Sequence, residues 1–386
     1  MFQTSQGAKP ARIANAVPTL PVPIAHDHAA SRLSCSALSR TAQNTSGLGS
    51  WAIGTGNVGT AFAILAGFAP CEVWNTYPLL LLGEAALELP GAAEHPGYPL
   101  ALAVSALFAS ARADVTGAEE LCRRAADANA RRETPDWRVE ETICAARQNI
   151  ATTRGAFAEA ARLAEQAASI ARAGGDLADA SVELAAAAAD YVLAFDAPRG
   201  VPLANEALAL ARQVGAPALI ATALLEVGAA VAGTDPRQAR ASLRESRQLS
   251  AEVGYQSARD LVWATGVALL LNDRTTTLEL GRDAIRALQR SGDRLRMGLT
   301  LHMIAATLAA TRPEAAATIL GAAQAHVIEA AANAQPITST VTAALGGQRA
   351  QALRARGADM DWDQAIAYTL TQATQALSEF EAKPQP

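Results

Sequence analysis

Leu163-Ala164-Glu165-Gln166-Ala167-Ala168-Ser169-Ile170 carries the architecture, because the chain repeats the same phrase at a steady interval. Forty residues later it reads Leu203-Ala204-Asn205-Glu206-Ala207-Leu208, and forty-two earlier Leu121-Cys122-Arg123-Arg124-Ala125-Ala126. Aligning the leading leucines gives Leu82, Leu121, Leu163, Leu203, Leu243, Leu280 and Leu320, spaced by 39, 42, 40, 40, 37 and 40 residues. Leucine first, polar or small residues next and a small residue fifth describe one helix face recurring at i, i+4, i+7. Breakers fall between these segments at matching phase. Thr116-Gly117, Arg154-Gly155, Pro198-Arg199-Gly200, Asp235-Pro236 and Arg312-Pro313 precede the helices, while Gly174-Gly175-Asp176, Gly215-Ala216-Pro217 and Ser291-Gly292-Asp293 follow them. Glycine just past a helix end accepts the left-handed cap, and Asp or Pro opens the next helix. Each beat therefore predicts helix, tight turn, helix and short link. One hairpin cannot bury its own apolar stripe, but a stack of them forms a continuous core. The predicted fold is an all-α solenoid of about seven antiparallel helix hairpins, tetratricopeptide-like with a period of about 40, spanning residues 51–335.

Composition points the same way. Of 386 residues 94 are alanine and only 4% are aromatic, a balance that favours helix and lets helices approach closely. A net charge of −5 gives no electrostatic case for nucleic acid or an anionic membrane as partner. Lys9 and Lys383 are the only lysines among 32 basic residues, which excludes a Gly-Lys-Ser/Thr phosphate loop. No stretch reaches the ~18–20 apolar residues that span a bilayer. Cys35, Cys71, Cys122 and Cys144 form no close pair, so a zinc site or redox dithiol is not expected, and a reducing, cytoplasmic setting suits them. Residues 1–50, rich in Ser, Thr, Pro and Ala, read as a disordered leader, and 381–386 as a disordered tail. Residues 336–380 read as capping helices: Ile337 to Arg356 as one helix, Asp361 to Phe380 as another, with Asp361 or Asp363 as its N-cap.

Few residues look like chemistry. Gly54-Thr55-Gly56-Asn57-Val58-Gly59 is a literal Gly-x-Gly-x-x-Gly. Only Trp51-Ala52-Ile53 stands where its strand belongs, and Asn75-Thr76 where the ribose-binding acid belongs, so it reads better as the start of the first helix. His26-Asp27-His28 has no remote third ligand, and His95, His302 and His326 have no triad partners at readable spacing. Glu140 and Glu141 point about 100° apart on a helix and do not converge. No catalytic, cofactor or metal site is expected, and the chain reads as non-enzymatic. What remains is surface. The first helix of each hairpin lines the concave side, where Trp137, Arg147, Gln148, Tyr191, Trp263 and His302 are the candidate contacts for a protein or peptide ligand. Trp263 and Tyr191 serve equally well as core pieces between alanine-lined helices. Two other classes stay open: a regulator that senses a small apolar inducer inside the superhelix, and an NAD(P)-dependent oxidoreductase using Gly54, Gly56 and Gly59.

The junction Gly83-Glu84-Ala85-Ala86-Leu87-Glu88-Leu89-Pro90-Gly91-Ala92-Ala93-Glu94-His95-Pro96-Gly97-Tyr98-Pro99 resembles the helical-repeat region of actinobacterial signalling ATPases. Pro313-Glu314-Ala315-Ala316-Ala317-Thr318-Ile319-Leu320-Gly321-Ala322-Ala323-Gln324-Ala325 is similar to a segment near the end of that region, and Asp361-Trp362-Asp363-Gln364-Ala365-Ile366-Ala367-Tyr368-Thr369-Leu370 to its closing helix. The likeness covers about residues 60–372. It implies a regulatory repeat module in signal transduction. In that family catalysis belongs to a P-loop ATPase, with a cyclase domain or a LuxR-type helix-turn-helix in some members. This chain lacks the phosphate-loop lysine and a helix-turn-helix after residue 380, so the resemblance implies the repeat module alone, whether a stand-alone relative or a truncated gene.

Overall fold

The computed structural model describes residues 51–68, 76–252, 257–326 and 331–381, all within one compact unit, Ser34–Pro386. The leader, Cys35 and Cys71, and His26-Asp27-His28 lie outside the described residues, as do 382–386 of the tail. Among the described residues there are seventeen helices of eleven residues or more and no strand. Fourteen form seven hairpins: α1 (Val58–Phe68) with α2 (Thr76–Leu87), α3 (Tyr98–Ala111) with α4 (Val115–Ala130), α5 (Trp137–Thr153) with α6 (Phe157–Ala173), and α7 (Leu177–Leu193) with α8 (Ala197–Val214). The series continues with α9 (Pro217–Val231) and α10 (Pro236–Glu252), α11 (Ala258–Leu270) and α12 (Arg274–Ser291), and α13 (Arg294–Leu308) and α14 (Pro313–His326). The all-α solenoid and its beat are as the sequence predicts. Each marker leucine is the seventh or eighth residue of an even-numbered helix.

In the second, third and fourth hairpins the marker leucines are not the deepest residues, however. Leu121, Leu163 and Leu203 are half-buried, whereas Ala118, Cys122 and Ala125 of α4, Ala160, Ala164 and Ala167 of α6, and Ala204, Ala207 and Ala211 of α8 are buried almost completely. A stripe of small side chains lets each outer helix lie close to its neighbours; a methyl at Gly200 would sit 3.0 Å from the Ala188 carbonyl oxygen. The turns repeat as well. Ala113, Gly155, Gly175, Phe195 and Asn272 all take positive φ within three-residue links, so the left-handed corner is one shared device. Aspartates then start the helices: Asp114 accepts from the Gly117 amide at 3.0 Å, Asp176 from Asp179 at 3.0 Å, and Asp293 from Arg296 at 2.9 Å.

The odd-numbered helices form the inner row. α3 touches α5, α7 touches α9, α9 touches α11 and α11 touches α13, while each even helix packs outside. Inner helices are buried nearly all round; in α3 every residue from Ala101 to Ala111 is buried. The cause is closure. α13 comes within 8 Å of α3 by Cα distance, and α12 within the same distance of α2, so the sixth and seventh hairpins meet the first and second. Leu295 at the start of α13 is buried with Phe157, and Ala113, Leu193, Ala194 and Trp362 pack around the pair.

The C-terminal segment differs from expectation in one respect. Residues 337–356 are not one helix: α15 (Ala331–Leu345) and α16 (Gly347–Ala358) meet at Gly346, whose φ of +80 breaks the run. α16 lies against α14 so closely that a methyl at Gly321 would strike the Arg354 carbonyl and one at Gly357 the Thr318 carbonyl. α17 (Trp362–Glu381) then crosses α12, α13 and α14. Asp361 caps it, accepting from the Gln364 amide at 2.8 Å while Gln364 accepts from the Asp361 amide at 3.1 Å.

Candidate functional site

Closure of the inner row leaves a cavity of about 200 Å³, walled by α3, α5, α7, α9, α11 and α13. Two neighbouring helices build most of it in the same order. On α5, Glu141, Ala145 and Gln148 follow one another along the helix at i, i+4, i+7. On α7, Glu183, Ala186 and Asp190 repeat the sequence acid, alanine, polar group, with Asp179 one turn earlier. The alanines are what leave space between the charged rims. Thr222 of α9, Arg259, Asp260 and Trp263 of α11, and Arg296 of α13 complete the wall.

At the Asp190 end, hydrogen bonds hold the acids in place. Gln148 Nε2 donates to Asp190 Oδ2 at 2.6 Å and Thr152 Oγ1 to Oδ1 at 3.2 Å. Thr222 Oγ1 donates to Asp260 Oδ1 at 2.7 Å. Arg296 is paired with Asp293 at 2.6 Å. Burial drives the Asp190 carboxyl up to about 7 against the pull of these donors, and it raises Asp260 as well. Glu226, behind Arg259 on α9, is fully buried and neither oxygen has a hydrogen-bond partner; burial pushes it up to about 8, partly offset by the Arg259 charge. Arg259 itself is 6% exposed. Its Nε has no partner, and no carboxylate among the described residues lies within ion-pair distance of it. The Trp263 indole N–H on the same wall is likewise without an acceptor.

At the other end Glu141 is 8% exposed and accepts a 3.2 Å hydrogen bond from Thr142. Burial first, then the charges of Glu183 and Asp179, raise its carboxyl well above the ordinary range. Asp179 is raised by burial and by Asp176. Charges of both signs therefore stand at each end: Arg138 lies one turn from Glu141 on α5, and Arg259 and Arg296 act on Asp190.

Of the six residues singled out from sequence, the structure brings Gln148 and Trp263 to the cavity wall. Trp137 lies over Gly174, filling the space that a side chain there would need. Arg147 is exposed. Tyr191 is 5% exposed and faces the outer row, donating to Glu165 Oε1 at 2.7 Å with Arg199 over its ring. His302 is half-buried on α13 and is not part of the wall. Glu183, Asp190, Arg259 and Asp260 were missed by the sequence reading, since single charges on a helix read as solvated, and Glu141 was weighed only as a partner for Glu140. The available signal was their position on the inner helices, of which α3, α7 and α9 are apolar over most of their surface.

Residues 51–54, leading into the glycine motif, form a helical turn where a strand would be needed, and Asn57 caps α1 by accepting from the Thr60 amide at 3.0 Å. Among the described residues no group of His, Cys, Asp and Glu is arranged to hold a metal ion, and no helix is long and apolar enough to cross a membrane. Cys122 and Cys144 are buried thiols, each pushed up to about 11 by burial, and so are poor nucleophiles. No known protein family matches the chain, and no characterised protein is significantly similar to it in sequence.

Proposed function

We propose that this chain is a non-catalytic sensory module: a closed helical-repeat superhelix that takes a small polar molecule into its lumen. The observation that carries the reading is Arg259, a guanidinium 6% exposed on a cavity wall, whose Nε has no hydrogen-bond partner and which makes no ion pair among the described residues. A buried, unpaired charge costs several kcal/mol, and a bound ligand is the simplest group to offset it. The cavity, smaller than the ~300–1,000 Å³ of drug-sized pockets, suits a small metabolite and is too small for a peptide segment. Charged and polar side chains interrupt a lining that is otherwise apolar, which favours a ligand with a polar group over a purely apolar inducer. Regulation follows from the walls. A ligand that touches α5, α7 and α11 together stabilises the closed superhelix over any opened form by its differential affinity. The resemblance to repeat regions of signalling ATPases supports the same regulatory assignment.

A protein partner is a second reading, favoured by Phe195, which is 74% exposed at the α7–α8 turn on the outside of the stack. It is compatible with the first: a ligand inside sets the curvature that a partner outside reads. The test is a thermal-shift screen of charged and neutral metabolites against the intact chain. Binding at 100 times Kd adds about 2.7 kcal/mol, a shift of several degrees. The expected hit raises the melting temperature of the native chain and not that of Ala186→Phe, whose ring fills the cavity. A screen without hits, or hits indifferent to Ala186→Phe, overturns the reading.

A further inference from the structure

Two donors left open on the lumen wall specify the ligand further, on the premise of the small-ligand reading above. Arg259 and Trp263 stand at i and i+4 on α11, so they share one face of that helix, and both line the cavity. Arg259 Nε and Trp263 Nε1 are each sealed from solvent without an acceptor. Three acids feel the Arg259 charge, Asp190, Glu226 and Asp260, and none of them accepts from either donor. Asp190 is taken up by Gln148 and Thr152 and Asp260 by Thr222, while Arg296, the other guanidinium acting on Asp190, pairs with Asp293. Burial raises Glu226 and Asp190, so the Arg259 guanidinium faces less negative charge than the number of carboxyls suggests. Apolar wall begins within one turn of this end: Ala186 precedes Asp190 on α7, and Leu219 precedes Thr222, the donor to Asp260, on α9. Leu107, Ala145 and Val182 line the same cavity.

We propose that the lumen binds a small monocarboxylate with an apolar body, one carboxylate oxygen on Arg259, the other on the Trp263 N–H, and the body among the alanine, valine and leucine side chains. A carboxylate brings two acceptor oxygens and the counter-charge together, and hydrogen bonds to an ionised acceptor are about twice as strong as neutral ones. A neutral amide offers an acceptor but leaves the guanidinium charge uncompensated. An ammonium adds donors where acceptors are lacking, and it stands against Arg259 and Arg296. A dicarboxylate sets a second charge either against Asp190 and Asp260 or in the apolar wall. Size agrees as well: an apolar cavity of ~150 Å³ takes benzene, so one of about 200 Å³ takes a body of about six to eight carbons.

The experiment is isothermal titration of the intact chain at pH 7 with four six-carbon probes: hexanoate, hexanamide, hexylamine and adipate. Hexanoate should bind about tenfold or more tightly than each of the others. Arg259→Gln keeps a donor and removes the charge; it should bring hexanoate down to the affinity of hexanamide, whose own binding stays within about threefold. Trp263→Phe keeps a ring and removes the N–H, and should weaken hexanoate severalfold. Helical content by circular dichroism should be unchanged in both, and the probe series on the native chain stands alone should a variant fail to fold. Another probe binding as tightly as hexanoate, or hexanoate indifferent to Arg259→Gln, overturns the monocarboxylate and leaves the small-ligand reading intact. If no probe binds, a hit in the wider metabolite screen removes the monocarboxylate alone, and an empty screen removes both.

Discussion

Gln148 and Asp190 stand at equivalent places on α5 and α7, forty-two residues apart, and the Gln148 amide donates to the Asp190 carboxylate at 2.6 Å across the wall of the lumen. The bond ties successive repeats through a polar contact where solenoid neighbours otherwise meet through alanine. Gln148→Ala leaves a 2%-exposed aspartate with Thr152 as its one side-chain donor among the described residues. Loss of a hydrogen bond to a buried acid is worth about 1.5–3 kcal/mol. Urea denaturation of the variant at pH 7 should show a loss in that range, and a change below about 0.5 kcal/mol would contradict the role given to this bond.

Glu226 should make stability fall as pH rises. Its native carboxyl is held up at about 8, while the unfolded chain ionises near the ordinary value of about 4.3. Between these values the native state binds more protons than the unfolded state, so the slope of stability against pH is negative. The stability contributed by the neutral acid is complete below about pH 4 and lost as pH climbs through about 8. Asp190 acts in the same sense up to about 7, and Arg259 limits both effects. Glu226→Gln removes the titration. It should stabilise the chain at pH 8.5 relative to the native sequence and change it little at pH 4.5, as read from urea midpoints at the two pH values. A variant less stable at pH 8.5 would show that the Glu226 charge is needed.

The glycine contacts between α14 and α16 leave no room for a methyl group. Gly321→Ala must push apart two backbones already in contact, and relaxation by rotamer change is not open to a carbonyl. A loss of about 3 kcal/mol is expected, at the upper end of overpacking effects. Gly347→Ala, with open space around it in the neighbouring turn, is the control and should change little. Thermal denaturation of both variants decides the point.

Phe195 holds a left-handed φ of +59 with its ring in solvent. A non-glycine residue in that region costs roughly 1–2 kcal/mol, and no packing offsets it here. Phe195→Gly should therefore raise stability by about 1 kcal/mol. If the variant also weakens association with a protein partner, the strain is the cost of presenting the ring.

The hairpins were legible because each signal was local. Leucine spacing, Asp114, Asp176 and Asp293 as caps, and glycine corners fix one hairpin at a time. The break at Gly346 was equally local, yet the reading of Ile337 to Arg356 as one helix passed over the Gly346-Gly347 pair that marks it. Closure is different, being the sum of small rotations over six repeats, which no single window of sequence contains. Its trace is the near absence of charge from Tyr98–Ala111 and Pro217–Val231, where Glu226 is the one ionisable side chain besides Tyr98, in helices that an open arc would leave wet on one side. The site depends on closure and was hidden with it. Glu140 and Glu141 do diverge, as helix geometry requires, one exposed and one in the lumen. The carboxylate whose charge acts on Glu141 is Glu183 of the next inner helix, an effect visible only once the Gln148–Asp190 bond is known to tie α5 to α7.

Everything functional here requires α13 to reach α3. Spin labels at Thr116 and Arg294, both exposed and next to the Phe157–Leu295 contact, measure that approach in solution, in a chain whose four cysteines are alanine. Double electron–electron resonance should give a single narrow peak at the short end of the measurable range. A long or broad distribution, the mark of an arc whose ends stand apart, would contradict closure and leave the cavity without a wall.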